Sequence, residues 1–296
     1  MIKTSEKIVF FGTEDFSLII LRSLLEAGYN VVTVITKPDS RKGRGQQISP
    51  PGVKTLAEEY NIPVLQPTKL ADTADAIRKL GVVTGVLVSY GKIIPQSIID
   101  LFTPGIINVH PSLLPKYRGP SPIESAIING DNETGVTIMQ LSAQMDAGPI
   151  YRASRHSLTG TETQPDLYEA LAKQGAGLLL ETLPSILDGS LTPTLQDDTQ
   201  AEYCQLLKKT DAYIQLDHMN AAHAERSIRA HLVYPKTKLA LLGHTCTITQ
   251  AHISLTKEDH LSQRCQDGQY LCIDELIAPS GRRMSGEAFM RGYSAI

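Results

Sequence analysis

Residues 7–36, KIVFFGTEDFSLIILRSLLEAGYNVVTVIT, decide the fold. The run 7–11 is short, apolar and rich in β-branched and aromatic side chains, as a buried strand requires. Residues 16–27 then place Phe16, Ile19, Ile20 and Leu24 at helical spacing, and Gly28 stands where a helix should stop. Residues 30–36 return to a β-branched run. A strand, a helix and a second strand joined by short connections predict a parallel sheet with crossover helices.

The alternation continues outward from there. Residues 37–52 are long, aperiodic and rich in Gly, Pro and charge, which predicts a mobile surface loop. Helices are expected over 53–60 and 71–80, and strands over 62–65, 82–88 and 106–110. The strand at 82–88 ends at Ser89-Tyr90-Gly91, and the strand at 106–110 delivers Asn108, Val109 and His110 at its carboxyl end. Ligands of open α/β sheets bind outside the carboxyl ends of strands, so both ends are candidate site walls. Strands at 135–141 and 149–154 bracket Gln144-Met145-Asp146-Ala147-Gly148. A long helix spans 164–187, with a weak point at Gly175 and Gly177.

The stretch DGSLTPTLQDDTQ (188–200) is polar and turn-rich and makes the best domain boundary. One helix, 220–230, follows. Short alternating runs at 238–242, 245–253, 269–273 and 274–277 then suggest a small OB-like barrel. The expected architecture is therefore α/β: a Rossmann-like domain with a mainly parallel sheet over residues 1–190, a linker over 191–204, and an OB-like β-barrel domain over 205–296.

A chain of 296 residues is long enough for two cores. Its 42% hydrophobic and 20% charged residues are those of an ordinary soluble protein. No apolar run approaches a membrane span, and the N-terminus lacks a secretory pattern, so a cytoplasmic protein is expected. Cys204, Cys246, Cys265 and Cys272 contain no CxxC pair. They predict free thiols in a reducing compartment and no metal site. A formal net charge of −3 argues against indiscriminate nucleic-acid binding, yet leaves room for a local patch. Lys37-Pro38-Asp39-Ser40-Arg41-Lys42-Gly43-Arg44-Gly45 has four basic residues against one acid. Arg282, Arg283 and Arg291 form a second basic group.

The segment richest in unusual choices is Asn108-Val109-His110-Pro111-Ser112-Leu113-Leu114-Pro115-Lys116-Tyr117-Arg118-Gly119-Pro120. Asn108 and His110 are two apart on a strand, so their side chains share a face. An amide donor beside a titratable imidazole suits a carbonyl oxygen that gains charge while a proton moves elsewhere. Asp146, in a loop bounded by glycine, is the carboxylate best placed to orient that imidazole. By residue type alone, a satisfied Asn–His pair and a turn-capping Asp146 remain an open alternative. Other site types fail. Gly12-Thr13-Glu14-Asp15 has one glycine where a dinucleotide fingerprint needs three, and its acids would repel a pyrophosphate. Gly43-Arg44-Gly45 lacks the Lys-Ser/Thr of a phosphate loop. Ser112 is not in GxSxG. His218, His223 and His231 are not spaced as metal ligands on one helix.

Residues 107–139, INVHPSLLPKYRGPSPIESAIINGDNETGVTIM, with Met145-Asp146-Ala147-Gly148, resemble the folate-dependent formyltransferases. The resemblance implies a formyltransferase catalytic domain over 1–190 with Asn108, His110 and Asp146 as its catalytic set and no metal. It also implies that Ser112, Leu113, Leu114 and Pro115 contact a folate, and that the donor is 10-formyltetrahydrofolate. The strand end with Ser89, Tyr90, Gly91 and Ile93 is expected to share that folate site, its backbone groups meeting a pterin edge. Phe11-Gly12-Thr13-Glu14-Asp15-Phe16, the basic loop, and Gly281–Tyr293 resemble the branch acting on initiator methionyl-tRNA. That branch implies tRNA contacts from Arg41, Lys42 and Arg44 and a tRNA-binding role for the OB-like region. A monomer that formylates methionine on tRNA during translation initiation is expected, with a sugar-nucleotide formyltransferase of the same fold as the alternative. Two departures stand out: Gln46-Gln47 replaces a frequent lysine pair, and no tryptophan lies near Tyr234-Pro235-Lys236.

Overall fold

The computed structural model describes residues 6–42, 47–258 and 261–293. Strand β1 (Lys7–Gly12) has no exposed position after Lys7: Ile8, Val9, Phe10 and Phe11 are all fully buried. Burial on both faces is the condition of a central parallel strand, and it explains the unbroken apolar run. Helix α1 (Asp15–Glu26) crosses over to β2 (Asn30–Ile35), which pairs with β1 in parallel. Inside the expected loop, β3 (Ser40–Lys42) and β4 (Gln47–Ser49) pair as an antiparallel hairpin. That element was not foreseen, because two strands of three residues leave no readable period.

The chain continues through α2 (Gly52–Glu59), β5 (Val64–Leu65), a 3-10 turn at Leu70–Thr73, α3 (Ala74–Lys79) and β6 (Thr84–Val88). Next come α4 (Gln96–Ile99), β7 (Ile106–His110), α5 (Pro122–Asn129), β8 (Glu133–Gln140), β9 (Ile150–Ser157) and α6 (Gln164–Leu187). The sheet runs β5-β2-β1-β6-β7-β8-β9. Pairings from β5 through β7 are parallel, and β8 lies antiparallel to β7. A Rossmann-like, mainly parallel sheet is what the sequence predicts. Strand order reverses between β1 and β6, and the crevice at such a reversal is the usual ligand site.

The long helix α6 is continuous through Gly175 and Gly177. A methyl group on Gly175 would lie 3.0 Å from Val109 Cγ1 and 3.3 Å from Val136 Cγ1, so glycine there permits close packing on the sheet. Among the described residues no helix is long and apolar enough to cross a membrane.

The described residues fall into two compact units. The first runs to Pro120 and adds Thr134–His156 and Tyr168–Tyr203; the second takes Ser121–Glu133, Ser157–Leu167 and the chain from Cys204 onward. In the second unit α7 (Ala221–Ala230) precedes β10 (Lys238–Leu241), β11 (His244–Ser254), β12 (Ser262–Arg264), β13 (Tyr270–Ile277), β14 (Arg283–Ser285) and α8 (Gly286–Tyr293). These strands form one smaller antiparallel sheet, the β component expected of an OB-like region. The runs 269–273 and 274–277 are one strand, β13, whose register against β11 shifts around Asp274 without ending the strand, while Asp274 and Glu275 find side-chain partners on β11. His252 Nδ1 pairs with Asp274, and Thr249 donates to Glu275. Ile228, Leu271, Ile273, Leu276 and Phe289 lie in its core. Each such fully buried large side chain contributes about 1.5–3 kcal/mol.

Candidate active site

The carboxyl end of β7 carries Asn108 and His110, each 5% exposed. Asp146 reaches them from the loop after β8. Its Oδ1 accepts from Asn108 Nδ2 at 3.4 Å, its Oδ2 lies 3.8 Å from His110 Nδ1, and Oδ2 accepts the Gly119 amide at 2.8 Å. Residues 38 positions apart in the chain thus meet around one carboxylate.

The imidazole is oriented from its far side. His110 Nε2 lies 2.9 Å from the Tyr117 carbonyl. A carbonyl oxygen only accepts, so Nε2 is a donor and carries a proton, and Nδ1 is the nitrogen turned toward Asp146.

Backbone strain is concentrated here. Asp146 (φ 47°), Tyr117 (φ 60°) and Ser89 (φ 43°) all occupy the left-handed region. For residues other than glycine that conformation costs energy and persists where the surroundings hold it. At Asp146 it turns the carboxylate toward His110. Two residues later Gly148 passes so close to the Gln140 carbonyl that a Cβ would overlap it.

The 112–115 turn is held by Thr137 on the neighbouring strand. Thr137 Oγ1 donates to the Ser112 carbonyl at 2.7 Å and accepts the Leu114 amide at 3.2 Å. Ser112 Oγ donates to the Lys116 carbonyl at 2.6 Å, and the Leu114–Pro115 peptide is cis. Leu113 packs beside Gly135.

One strand over, Leu87 on β6 pairs with Asn108, so Ser89, Tyr90 and Gly91 emerge beside the end of β7. The carbonyls of Ser89 and Tyr90 tie this turn to the end of β1, accepting from the Glu14 amide and Thr13 Oγ1. Tyr90 is buried against Phe11, its hydroxyl has no partner among the described residues, and burial pushes its phenol up. Ile93 is 83% exposed. The turns at 89–91 and 112–115 therefore flank the catalytic candidates from two strands, next to the reversal of strand order.

The basic hairpin is a separate element. Arg41 is exposed on β3, Lys42 follows it there, and Arg44 lies outside the described residues. Sequence reasoning missed Thr137, Tyr117, Arg118, Gly119 and Gln196. Arg118 could have been suspected from its place between an aromatic and a glycine; Gln196 gave no signal.

The four cysteines are free and buried. Cys272 does converge with His252 and Glu258, a grouping that spacing could not reveal. Its donors already have protein partners. His252 Nδ1 lies 2.8 Å from Asp274, Nε2 lies 3.3 Å from Glu258, and the thiol lies 3.4 Å from Ser262 Oγ. Burial opposes charge on His252, but these carboxylates outweigh it and raise the imidazole above its ordinary range. The group is an ion-pair knot.

A family model described as formyl transferase matches residues 6–183. A methionyl-tRNA formyltransferase of Pseudoalteromonas translucida is 38% identical over 271 residues, covering 91% of this chain and 83% of the relative. Among solved structures, HypX from Aquifex aeolicus in complex with tetrahydrofolic acid superposes with a TM-score of 0.69 at 16% identity. That match covers 99% of this chain, which spans about half of HypX (48%). An N-formyltransferase from Helicobacter canadensis, solved with folinic acid and dTDP-3-aminofucose, gives 0.64 at 18% identity, covering 90% of this chain and 99% of that one. At such identities the structures speak for the fold.

Proposed function

The chain belongs to the formyl transferase family and is an enzyme of formyl-group transfer, and we propose that it carries the formyl group of 10-formyltetrahydrofolate to the amino group of methionine on initiator tRNA, in the cytoplasm. The observation that carries this reading is the convergence of Asn108, His110 and Asp146 beside the crevice where strand order reverses.

Asn108 meets the negative charge that develops on the formyl oxygen, using the amide hydrogen not turned toward Asp146. A preorganised donor of this kind contributes on the order of 3 kcal/mol. His110 takes the proton of the attacking amine at Nδ1, the nitrogen that the Tyr117 carbonyl does not engage. As the tetrahedral adduct collapses, the bond between the formyl carbon and the tetrahydrofolate nitrogen breaks, the carbonyl re-forms, and the proton held at Nδ1 passes to the leaving nitrogen. Asp146 balances the imidazolium charge from 3.8 Å and keeps the ring aimed.

The turns at 89–91 and 112–115 hold the folate, with Ser89, Tyr90, Gly91, Ile93, Ser112, Leu113, Leu114 and Pro115 as its contacts. The buried Tyr90 hydroxyl, without a partner among the described residues, fits a ligand rich in hydrogen-bonding edges. Arg41, Lys42 and Arg44 neutralise acceptor-stem phosphates. Residues 1–190 act as the catalytic domain, 191–204 as the linker and 205–296 as the tRNA-binding domain, in a monomer.

The deciding experiment incubates the protein with labelled 10-formyltetrahydrofolate and either methionyl initiator tRNA or amino-sugar nucleotides. Formylmethionine is the expected product. Formylation of the sugar nucleotide alone would replace this reading with the sugar-directed one. Arg44→Ala is expected to weaken turnover of charged tRNA with folate binding unchanged, and equal loss of both would remove the loop from the tRNA site.

A further inference from the structure

We propose that Gln196 is a positioning residue for Asp146, acting as a clamp between the strained 146–148 loop and the buried Arg118. The inference rests on the catalytic use of Asp146 proposed above.

Gln196 Nε2 donates to the Asp146 carbonyl at 2.8 Å and to the Gly148 carbonyl at 2.7 Å. Its Oε1 accepts from Arg118 Nε at 3.1 Å and Nη2 at 2.9 Å. A primary amide has two donors and two lone pairs, and all four are used. Its orientation is unambiguous, because the carbonyls only accept and the guanidinium only donates.

Arg118 is itself fixed. It is 2% exposed, Nη2 also donates to Asp198 Oδ1 at 2.7 Å, and Nη1 donates to the Tyr203 hydroxyl at 3.2 Å. The stretch 194–203 that supplies Gln196 is stitched down at both ends. Thr194 exchanges backbone hydrogen bonds with Ile150 at 2.7 and 2.8 Å. Glu202 accepts the Arg118 amide at 2.8 Å and donates to the Pro115 carbonyl at 3.2 Å.

The consequence follows from the backbone at Asp146. Its left-handed conformation (φ 47°) is what brings Oδ2 to the Gly119 amide and toward His110. Such a conformation relaxes unless it is held. Gln196 holds the carbonyls at 146 and 148, on either side of Ala147, and Arg118 holds Gln196. The segment read from sequence as the start of a linker thus carries a residue that aims a catalytic group. Neither of its near relatives replaces it: asparagine is one methylene too short, and glutamate has the acceptors without the donors.

The test uses the full chain as Gln196→Ala, Gln196→Glu, Asp146→Asn and the double variant Gln196→Ala/Asp146→Asn. Formyl transfer is followed for kcat and KM, and hydrogen exchange for residues 142–149. Gln196→Ala is expected to lower kcat by about 100-fold, the effect of roughly 1 Å of misplacement. KM for either substrate should stay within twofold and exchange at 142–149 should rise. Gln196→Glu keeps the Arg118 contact and should still lose kcat, a check that holds if the alanine variant folds poorly. In the Asp146→Asn background Gln196→Ala should cost almost nothing more, because both changes disable one unit. Equal losses in the two backgrounds, or unchanged exchange at 142–149 in Gln196→Ala, would overturn the positioning role. Failure of the underlying reading looks different: Asp146→Asn would then retain turnover whatever happens at Gln196.

Discussion

Replacing Asp146 by asparagine changes charge at nearly constant volume. The backbone there is left-handed at φ 47°, a conformation asparagine tolerates as well as aspartate does. Asp146→Asn is therefore a cleaner test than Asp146→Ala, which would add a backbone cost of about 1–2 kcal/mol. Three groups share the carboxylate: the Gly119 amide at 2.8 Å, the Asn108 amide at 3.4 Å and His110 Nδ1 at 3.8 Å. An asparagine offers one acceptor oxygen and turns an NH₂ toward another of them. With the Asp146 side chain 16% exposed, an effective dielectric near 20 makes the attraction between unit charges at this separation about 4 kcal/mol. In the proposed mechanism that energy acts once His110 has taken the amine's proton. Its loss falls on kcat, by about three powers of ten, and leaves KM for the folate donor near its wild-type value. Rapid-quench measurement of formylmethionyl-tRNA, with isothermal titration of a reduced folate alongside, separates the two. A decrease in kcat below tenfold would refute the reasoning.

Gly148→Ala drives a methyl group into the Gln140 carbonyl, so it should cost about 1–3 kcal/mol of stability by chemical denaturation and lower kcat as well. Arg41→Ala should reduce the slope of log affinity against log salt for charged tRNA by about 0.7–0.9, one phosphate contact, with the folate KM unchanged. His231 is buried with neither ring nitrogen partnered among the described residues. Burial lowers its pKa, Asp211 opposes that and His223 adds to it. The folded state then binds this proton less readily than the unfolded chain. Stability is fully present above about pH 6.5, the unfolded value, and is lost as pH falls toward the folded pKa. Thermal melts of His231→Leu between pH 7.5 and 5.5 should show a shallower decline than wild type; an identical decline would exclude His231 as its source.

The sheet was legible because each central strand is buried on both faces, so runs such as 7–11 and 30–36 announce themselves without alternation. Asn108 and His110 were legible as a pair for an equally local reason, since a strand repeats every two residues. The elements missed were those with the least periodicity to show. The hairpin strands are three residues each, and α4 is a helix of four. Prolines at 120 and 122 also disguise a helix that in fact begins on Pro122 and ends at Gly130 in a left-handed turn.

By itself, then, the chain determined what short-range periodicity and residue chemistry can encode: the order of strands and helices, the site-bearing strand end, and the amide, imidazole and carboxylate worth watching. Tertiary structure alone decided which nitrogen of His110 faces Asp146, because that depends on the Tyr117 carbonyl seven residues away in the chain. It alone brought Gln196 to the loop 50 residues before it. A hydrogen bond reports only the distance between its atoms in space, and no pattern in the sequence records which distant segments the folded backbone will bring within 3 Å.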